Sequence, residues 1–289
     1  MDAGMRIEQT LNRAVMRGET SGCPPRLAAA IRHAVFPGGA RIRPRLCLAV
    51  AAACGGDAPE VTDAAAAAIE LLHCASLVHD DLPCFDNADT RRGRATVHRA
   101  FGEPLAVLAG DALIVMAFQT LALEAASMPL RLPGLMLSVA RAVGVPTGIV
   151  AGQAWECETS INLELYHREK TGALFTAATV AGAASAGADP DPWRALGDYL
   201  GEAYQVADDI RDLVADAAEI GKPVGRDASL GRPNAALAQG LDGALDRLDE
   251  LLAGAAASIP DCIGADTLDA LIQSEKVRLV PKGVARRAA

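Results

Sequence analysis

Aromatic side chains are scarce in this 289-residue chain: they make up 3% of it, against 51% apolar residues overall. A core with so few rings must be aliphatic and rich in alanine. Runs of β-branched residues are also scarce, and Ala and Leu favour helix, so strands are not expected. Excess positive charge is lacking too. The formal net charge is −9, which disfavours nucleic acid as a partner. The seven cysteines (Cys23, Cys47, Cys54, Cys74, Cys84, Cys157 and Cys262) form no C-x-x-C pair and no zinc spacing. Such an odd, unpatterned set reads as reduced thiols in a cytoplasmic protein. Asp2, Arg6 and Glu8 near the start leave no apolar core for a signal peptide. Charges interrupt the most apolar stretches before about 20 clean residues accumulate, so no membrane span is expected. Neither a repeat nor a linker is evident. The expectation is one all-α domain over residues 1–289.

What the chain does have is concentrated charge. Residues 79–94 read HDDLPCFDNADTRRGR, with Asp80, Asp81, Asp86 and Asp89 followed at once by Arg91, Arg92 and Arg94. Carboxylates this close repel one another unless something neutralises them. A hard divalent cation would do so, and Mg²⁺ typically takes one or two carboxylates plus substrate phosphates. Arginines beside it suit diphosphate oxygens. A solvated loop of paired charges is the alternative. Pro83 should end the preceding apolar helix, which Thr62 can cap, leaving Asp80 and Asp81 in its last turn. There the macrodipole disfavours anions. His73 and Ser76 lie behind Asp80 on the same face.

Other segments repeat the theme. GGARIRP puts Arg41, Arg43 and Arg45 at the start of an apolar helix, either as an anion site or as a solvated basic turn. Asp111 interrupts a long apolar helix, as a buried, satisfied acid or as a cap beside Gly110. Gln153 and Glu156, in GIVAGQAWECE, carry no signal of their own. Lys170 and Thr171 fall at a helix start or kink. Asp208, Asp209 and Asp212 share one helical face with Gln205 a turn earlier, and such like charges need a counter-ion unless Arg211 pairs with them at a solvated end. A Gly/Pro loop with Lys222, Arg226 and Arg232 follows. Amphipathic helices are predicted over 5–17, 235–258 and 266–278, with a loosely ordered basic tail.

Taken in order, GGARIRP, HCASLVHDDLPCFDNADTRRG, GDAL, AGQ, KTGALF and YQVADDIRD with GKPVGRD resemble the trans-isoprenyl diphosphate synthases, from about Gly38 to Asn234. The first motif has four residues between its Asp pair and its third Asp. That spacing is similar to bacterial carotenoid-pathway geranylgeranyl diphosphate synthases. The resemblance implies an all-α, single-domain isoprenoid synthase fold, with about a dozen helices around a central active-site cavity. It implies Mg²⁺-dependent condensation of isopentenyl diphosphate with allylic diphosphates. Farnesyl diphosphate synthase, terpene cyclase and a non-catalytic partner subunit are the alternatives.

Residue roles follow from the same resemblance. Asp80, Asp81 and Asp86, with Asp208, Asp209 and Asp212, would bind three Mg²⁺ on the allylic diphosphate. Arg91, Lys170 and Lys222 would contact that diphosphate, and Arg232 is a further substrate-binding candidate. Arg43, His73 and Arg92 would hold isopentenyl diphosphate. Lys170, Thr171 and Gln205 would line the reacting centre. Ala75 and Ser76 would form the floor that sets chain length; both are small, which implies a C20 product. Leu113 and Phe118 are further candidates for limiting it. A homodimer is implied. One departure stands out: Ala40 replaces the family's lysine, so weaker isopentenyl diphosphate binding is expected unless Arg41 or Arg45 compensates. Arg211, where many members have Leu, should face away from the metals if the three aspartates face them.

Overall fold

The computed structural model describes residues 2–36, 38–56, 58–160, 162–214 and 235–279. Among these residues there are thirteen α-helices and one two-stranded hairpin. The chain divides into two compact units, one of Met1–Ala140 with Ala181–Asp189, the other of Arg141–Val180 with Pro190–Ala289.

The first unit holds α1 (Ala3–Gly18), α2 (Pro25–Val35), α3 (Ile42–Ala53), α4 (Pro59–Asp80), the hairpin β1 (Thr90–Arg91) and β2 (Arg94–Ala95), α5 (Val97–Phe101), α6 (Glu103–Glu124) and most of α7 (Leu132–Val143). Its centre is α4, packed chiefly on α6 and also against α1, α2 and α3. Five consecutive alanines, Ala64 to Ala68, are all buried. A helix buried on every side needs short side chains, because its neighbours must all approach at once. Ile69, Leu71 and Leu72 supply the larger apolar surfaces, each worth about 1.5–3 kcal/mol when fully buried.

The caps of α4 differ in part from expectation. Thr62 is not the cap. The helix begins at Pro59, with Glu60 in its first turn, because proline fits a position whose N–H would have no helical partner. Thr62 lies inside the helix with its hydroxyl 3.0 Å from that of Ser185, which gives its own proton to the Gly182 carbonyl and so accepts from Thr62. At the other end Pro83 acts as expected. The helix stops at Asp80, and the chain folds back so that the Asp86 N–H donates to the Asp80 carbonyl at 2.9 Å.

Two helices are long and apolar enough to cross a membrane by length and composition, Pro59–Asp80 and Glu103–Ser127, a test that a buried core helix also passes. The first lies inside the unit, with 78% of its most apolar window buried. The second keeps an exposed apolar stripe that includes Leu108, Val115 and Leu123. Asp111 lies on that exposed side, in mid-helix and neither buried nor a cap, with its carboxylate 3.7 Å from His79.

The second unit contains α8 (Ile149–Ala154), α9 (Leu163–His167), a π-helical turn at Arg168–Gly172, most of α10 (Ala173–Ala186), α11 (Arg194–Val214), α12 (Ala235–Ala257, kinked at Gly240) and α13 (Ala265–Leu279). Helix α11 packs on α12 and on the π-turn, and α8 packs on the same turn. The two C-terminal helices match their predicted ranges. The basic loop with Lys222, Arg226 and Arg232 and the tail after Leu279 lie outside the described residues.

Candidate active site

In the first unit the acids at the end of α4 meet a cation from the hairpin. Asp81 is buried and accepts from Arg91, Nη2 to Oδ1 at 2.6 Å and Nε to both oxygens at 2.9 Å. Asp80 lies 3.8 Å from the same guanidinium. Burial opposes the charge on Arg91, but its hydrogen bonds to Asp81 and the charges of Asp81, Asp80 and Asp86 outweigh that and raise its pKa. Arg91 is therefore both a cation for a ligand and the present partner of Asp81.

The hairpin that carries Arg91 pairs Thr90 with Ala95 and Arg91 with Arg94, leaving Arg92-Gly93 as a two-residue turn. Both turn residues have positive φ, 53° and 74°. A primed turn with these angles is usually Asn-Gly. Arginine in the left-handed region costs roughly 1 kcal/mol, a local penalty of the kind found at functional positions. The Arg92 guanidinium lies over Gly39, where a Cβ would stand 2.7 Å from Cζ. A side chain on Gly38 would likewise collide with Arg41. The two glycines of GGARIRP thus clear paths for two arginines.

Arg43 and His73 also meet. Arg43, in the first turn of α3, places Nη1 3.4 Å from His73 Nε2 on α4. Burial, reinforced by the charges of Arg43, Arg92, Arg91 and Arg41, holds the His73 pKa well below the usual histidine value. The ring is neutral at pH 7 and can offer a hydrogen bond without adding charge.

Arg41 is committed elsewhere. It is buried, donating Nη1 to Glu70 at 2.7 Å, Nε to Glu8 at 2.8 Å and Nη2 to the Val35 carbonyl at 2.8 Å. It cannot stand in for the lysine replaced by Ala40. Ala40 and Arg45 are both exposed. Behind Asp80, the His79 ring occupies the space a side chain on Gly110 would need, its Nε2 2.0 Å from the Cβ position. This accounts for the glycine of GDAL. Ala75 is fully buried, and Ser76 donates its hydroxyl to the His73 carbonyl at 2.9 Å. Leu113 is buried and Phe118 half-buried, both on α6.

The second unit carries the other predicted residues. Thr171 donates to Gln205 Oε1 at 2.7 Å, and Gln205 Nε2 donates to Asp209 at 2.9 Å. Asp209 is buried. Asp208 diverges from it: its side chain is 55% exposed and accepts from Arg211 at 2.7 Å. Arg211 thus pairs with Asp208 on a solvated stretch, the i,i+3 alternative that its spacing allowed. Asp212 belongs to the same helix, α11. Lys222 and Arg232 lie outside the described residues.

Lys170 has a partner that sequence reasoning missed. Glu156 Oε1 accepts from Lys170 Nζ at 2.5 Å and from the Tyr166 hydroxyl at 2.7 Å, while Oε2 accepts from Gln153 at 3.0 Å. The glycine of AGQ explains how the segments meet, since a Cβ on Gly152 would lie 2.3 Å from the backbone nitrogen of Lys170. Glu156 and Lys170 are fourteen positions apart in different elements, so no helical spacing advertises the pair.

Among the described residues, no three His, Cys, Asp or Glu side chains converge tightly enough to hold a metal ion unaided. The acids present supply only hard oxygen donors. They fit Mg²⁺, which is commonly held by one or two carboxylates together with substrate phosphates.

Helical units with aspartates at the end of α4 and in the last turns of α11, and with Arg91 and Lys170 held by carboxylates, are of the isoprenoid synthase class. The chain belongs to the polyprenyl synthetase family, whose model matches residues 24–262. It is 55% identical over 282 residues to a geranylgeranyl diphosphate synthase of Cereibacter sphaeroides, covering 98% of each chain. It is 49% identical over 288 residues to one from Rhodobacter capsulatus, covering 99% of this chain and 100% of that one. Among solved structures, a Zymomonas mobilis FPP/GFPP synthase matches at 31% identity with a TM-score of 0.81, covering 94% of this chain and 96% of that one. A Helicobacter pylori geranyltransferase complexed with magnesium and isoprenyl diphosphate matches at 28% identity with a TM-score of 0.79, covering 94% and 98%.

Proposed function

We propose that this chain is a Mg²⁺-dependent prenyltransferase. It condenses isopentenyl diphosphate with dimethylallyl, geranyl and farnesyl diphosphates, giving geranylgeranyl diphosphate and releasing diphosphate. The observation that carries this reading is the cluster of Arg43, Arg91 and Arg92 around neutral His73 and the Asp80–Asp81 helix end. Near-full-length similarity, at 55% and 49% identity, to relatives named geranylgeranyl diphosphate synthase supports the C20 product.

The chemistry follows from charge. Ionisation of an allylic C–O bond builds negative charge on the leaving diphosphate, and preorganised cations facing that charge are the largest kind of contribution available. When bound, Mg²⁺ supplies part of that charge through Asp80, Asp81, Asp86, Asp208, Asp209 and Asp212, with three ions as the family pattern implies. Arg91, Lys170 and Lys222 bind the same diphosphate, and Arg232 assists. Arg43, His73 and Arg92 hold isopentenyl diphosphate so that its double bond attacks the allylic carbon. Thr171 and Gln205 line that centre without a strong nucleophile to trap the cation. The proton lost in forming the new double bond goes to the released diphosphate. Ala75 and Ser76 leave room for a long tail.

The reading extends to the whole molecule. Residues 1–289 act as one all-α synthase domain, cytoplasmic and without a membrane span, supplying carotenoid precursors. The exposed stripe of α6, Leu108, Val115 and Leu123, is assigned to a second copy in a homodimer. The test incubates the full chain with isopentenyl diphosphate and each allylic primer, with Mg²⁺ and then with EDTA. Mg²⁺-dependent C20 product is expected. A C15 end product would assign a farnesyl diphosphate synthase, a cyclised product a terpene cyclase, and no elongation a non-catalytic subunit.

A further inference from the structure

We propose that Arg94 and His33 form a clamp that fixes the position of Arg92 and thereby tunes affinity for isopentenyl diphosphate. The inference rests on the reading of Arg92 given above. Arg94 is a positioning residue here, since it is argued to act only through the hairpin.

The hairpin cannot hold Arg92 by itself. Each strand is two residues long, and isolated hairpins are marginal in water even when longer. Nor is it packed solidly against the helices, since a cavity of about 50 Å³ is lined both by Arg91, Arg92 and Arg94 of the hairpin and by His33, Cys74 and Val78 of the helices. Its position therefore depends on polar ties. One is the Arg91–Asp81 pair on the β1 side.

On the β2 side Arg94 reaches the end of α2. Its Nη1 donates to the Phe36 carbonyl at 2.6 Å, and its Nη2 approaches His33 Nδ1 at 2.8 Å. The other ring nitrogen of His33, Nε2, faces the Ala95 carbonyl at 2.8 Å. A carbonyl only accepts, so Nε2 carries the proton and Nδ1 accepts from Arg94. One imidazole thus holds two successive residues of β2. The Phe101 ring, edge-on at 5.4 Å, fixes its orientation.

The geometry then runs to Arg92. Phe36 leads into Gly39, and the Arg92 guanidinium lies over Gly39. By tying β2 to Phe36, Arg94 registers the hairpin against the segment on which Arg92 rests. Loss of the clamp lets the hairpin settle toward the cavity and moves Arg92 off Gly39.

The test measures steady-state kinetics with Mg²⁺, varying isopentenyl diphosphate at saturating farnesyl diphosphate and then the reverse. The variants are Arg94→Ala, His33→Ala, His33→Gln, the Arg94→Ala/His33→Ala double, and Arg94→Ala in an Arg92→Ala background. Arg94→Ala and His33→Ala should each raise KM for isopentenyl diphosphate by about three- to tenfold, the range for an exposed charge-assisted hydrogen bond. Both kcat and KM for farnesyl diphosphate should stay within about twofold, and the double variant should be less than additive. His33→Gln, whose amide both accepts and donates, should recover most of the loss. In the Arg92→Ala background, Arg94→Ala should do nothing further. An unchanged KM for isopentenyl diphosphate in Arg94→Ala, or equal loss for both substrates together with a lowered melting temperature, overturns the clamp. If Arg92→Ala alone leaves that KM unaltered, the Arg92 assignment falls, and the clamp with it.

Discussion

Arg41 offers a measurement in which stability and substrate affinity should separate. Its side chain and that of Glu70 are 6% and 2% exposed, and their ion pair spans 2.7 Å. The link to Glu8 is different in kind, since that carboxylate is 47% exposed and should contribute less than about 1 kcal/mol. In Arg41→Met, Glu70 becomes a buried charge without its partner, which costs about 3–5 kcal/mol. The Val35 carbonyl also loses a donor. Arg41→Met/Glu70→Leu removes both charges and should recover most of that loss, giving a coupling of at least about 2 kcal/mol in a double-mutant cycle. Urea unfolding followed by circular dichroism supplies the free energies, and KM for isopentenyl diphosphate is read in parallel. Arg41→Met should melt early yet keep near-normal KM at low temperature. The reasoning is refuted if the single variant costs under about 1 kcal/mol or if the double variant costs as much as the two singles added. A selective rise in KM with normal stability would return Arg41 to the substrate site.

Four further outcomes are expected. Ala40→Lys should lower KM for isopentenyl diphosphate, because Arg41 is unavailable to replace the missing cation; an unchanged KM argues against it. Arg92→Asn should relax the primed turn and raise unfolding free energy by a few tenths to about 1 kcal/mol, while isopentenyl diphosphate affinity falls at least tenfold, about 1.4 kcal/mol. Ser76→Phe or Ala75→Phe should shift the product toward C15 by chromatography, with Ala75→Phe also losing about 1–3 kcal/mol from overpacking; a profile still dominated by C20 rejects the floor. The depressed pKa of His73 means the unfolded chain binds the proton more readily, so its contribution is complete above about pH 6.5 and is lost as pH falls through the folded value. Melting temperatures between pH 7.5 and 5 should decline less steeply in His73→Gln than in the parent.

Much of this was readable before any coordinates, for physical reasons. The end of α4 followed from Pro83, a local covalent constraint. The apolar run before it announced a long helix, and the acids at its end announced a cation. Other features were hidden because their causes are tertiary. Arg41, Arg43 and Arg45 look alike in sequence, yet one is enclosed by Glu8 and Glu70 while another meets His73. Thr62 had the chemistry of a cap, but Pro59 claimed the helix start first. Asp111 broke an apolar pattern and simply faces outward. Glu156 joined Lys170 through a close backbone crossing at Gly152, which no periodicity encodes.

The five alanines of α4 have one more consequence. An alanine side chain has no rotamers, so burying it costs no side-chain entropy. It also leaves the packed helix no torsional slack. A leucine-lined wall answers a disturbance by changing rotamer, whereas Ala64 to Ala68 can answer only by moving the backbone. Asp80 and Asp81 ride on the end of that same helix. Crowding at any of those five positions should therefore be felt about three to five turns away as a displaced carboxylate pair, making the middle of α4 a lever on the site.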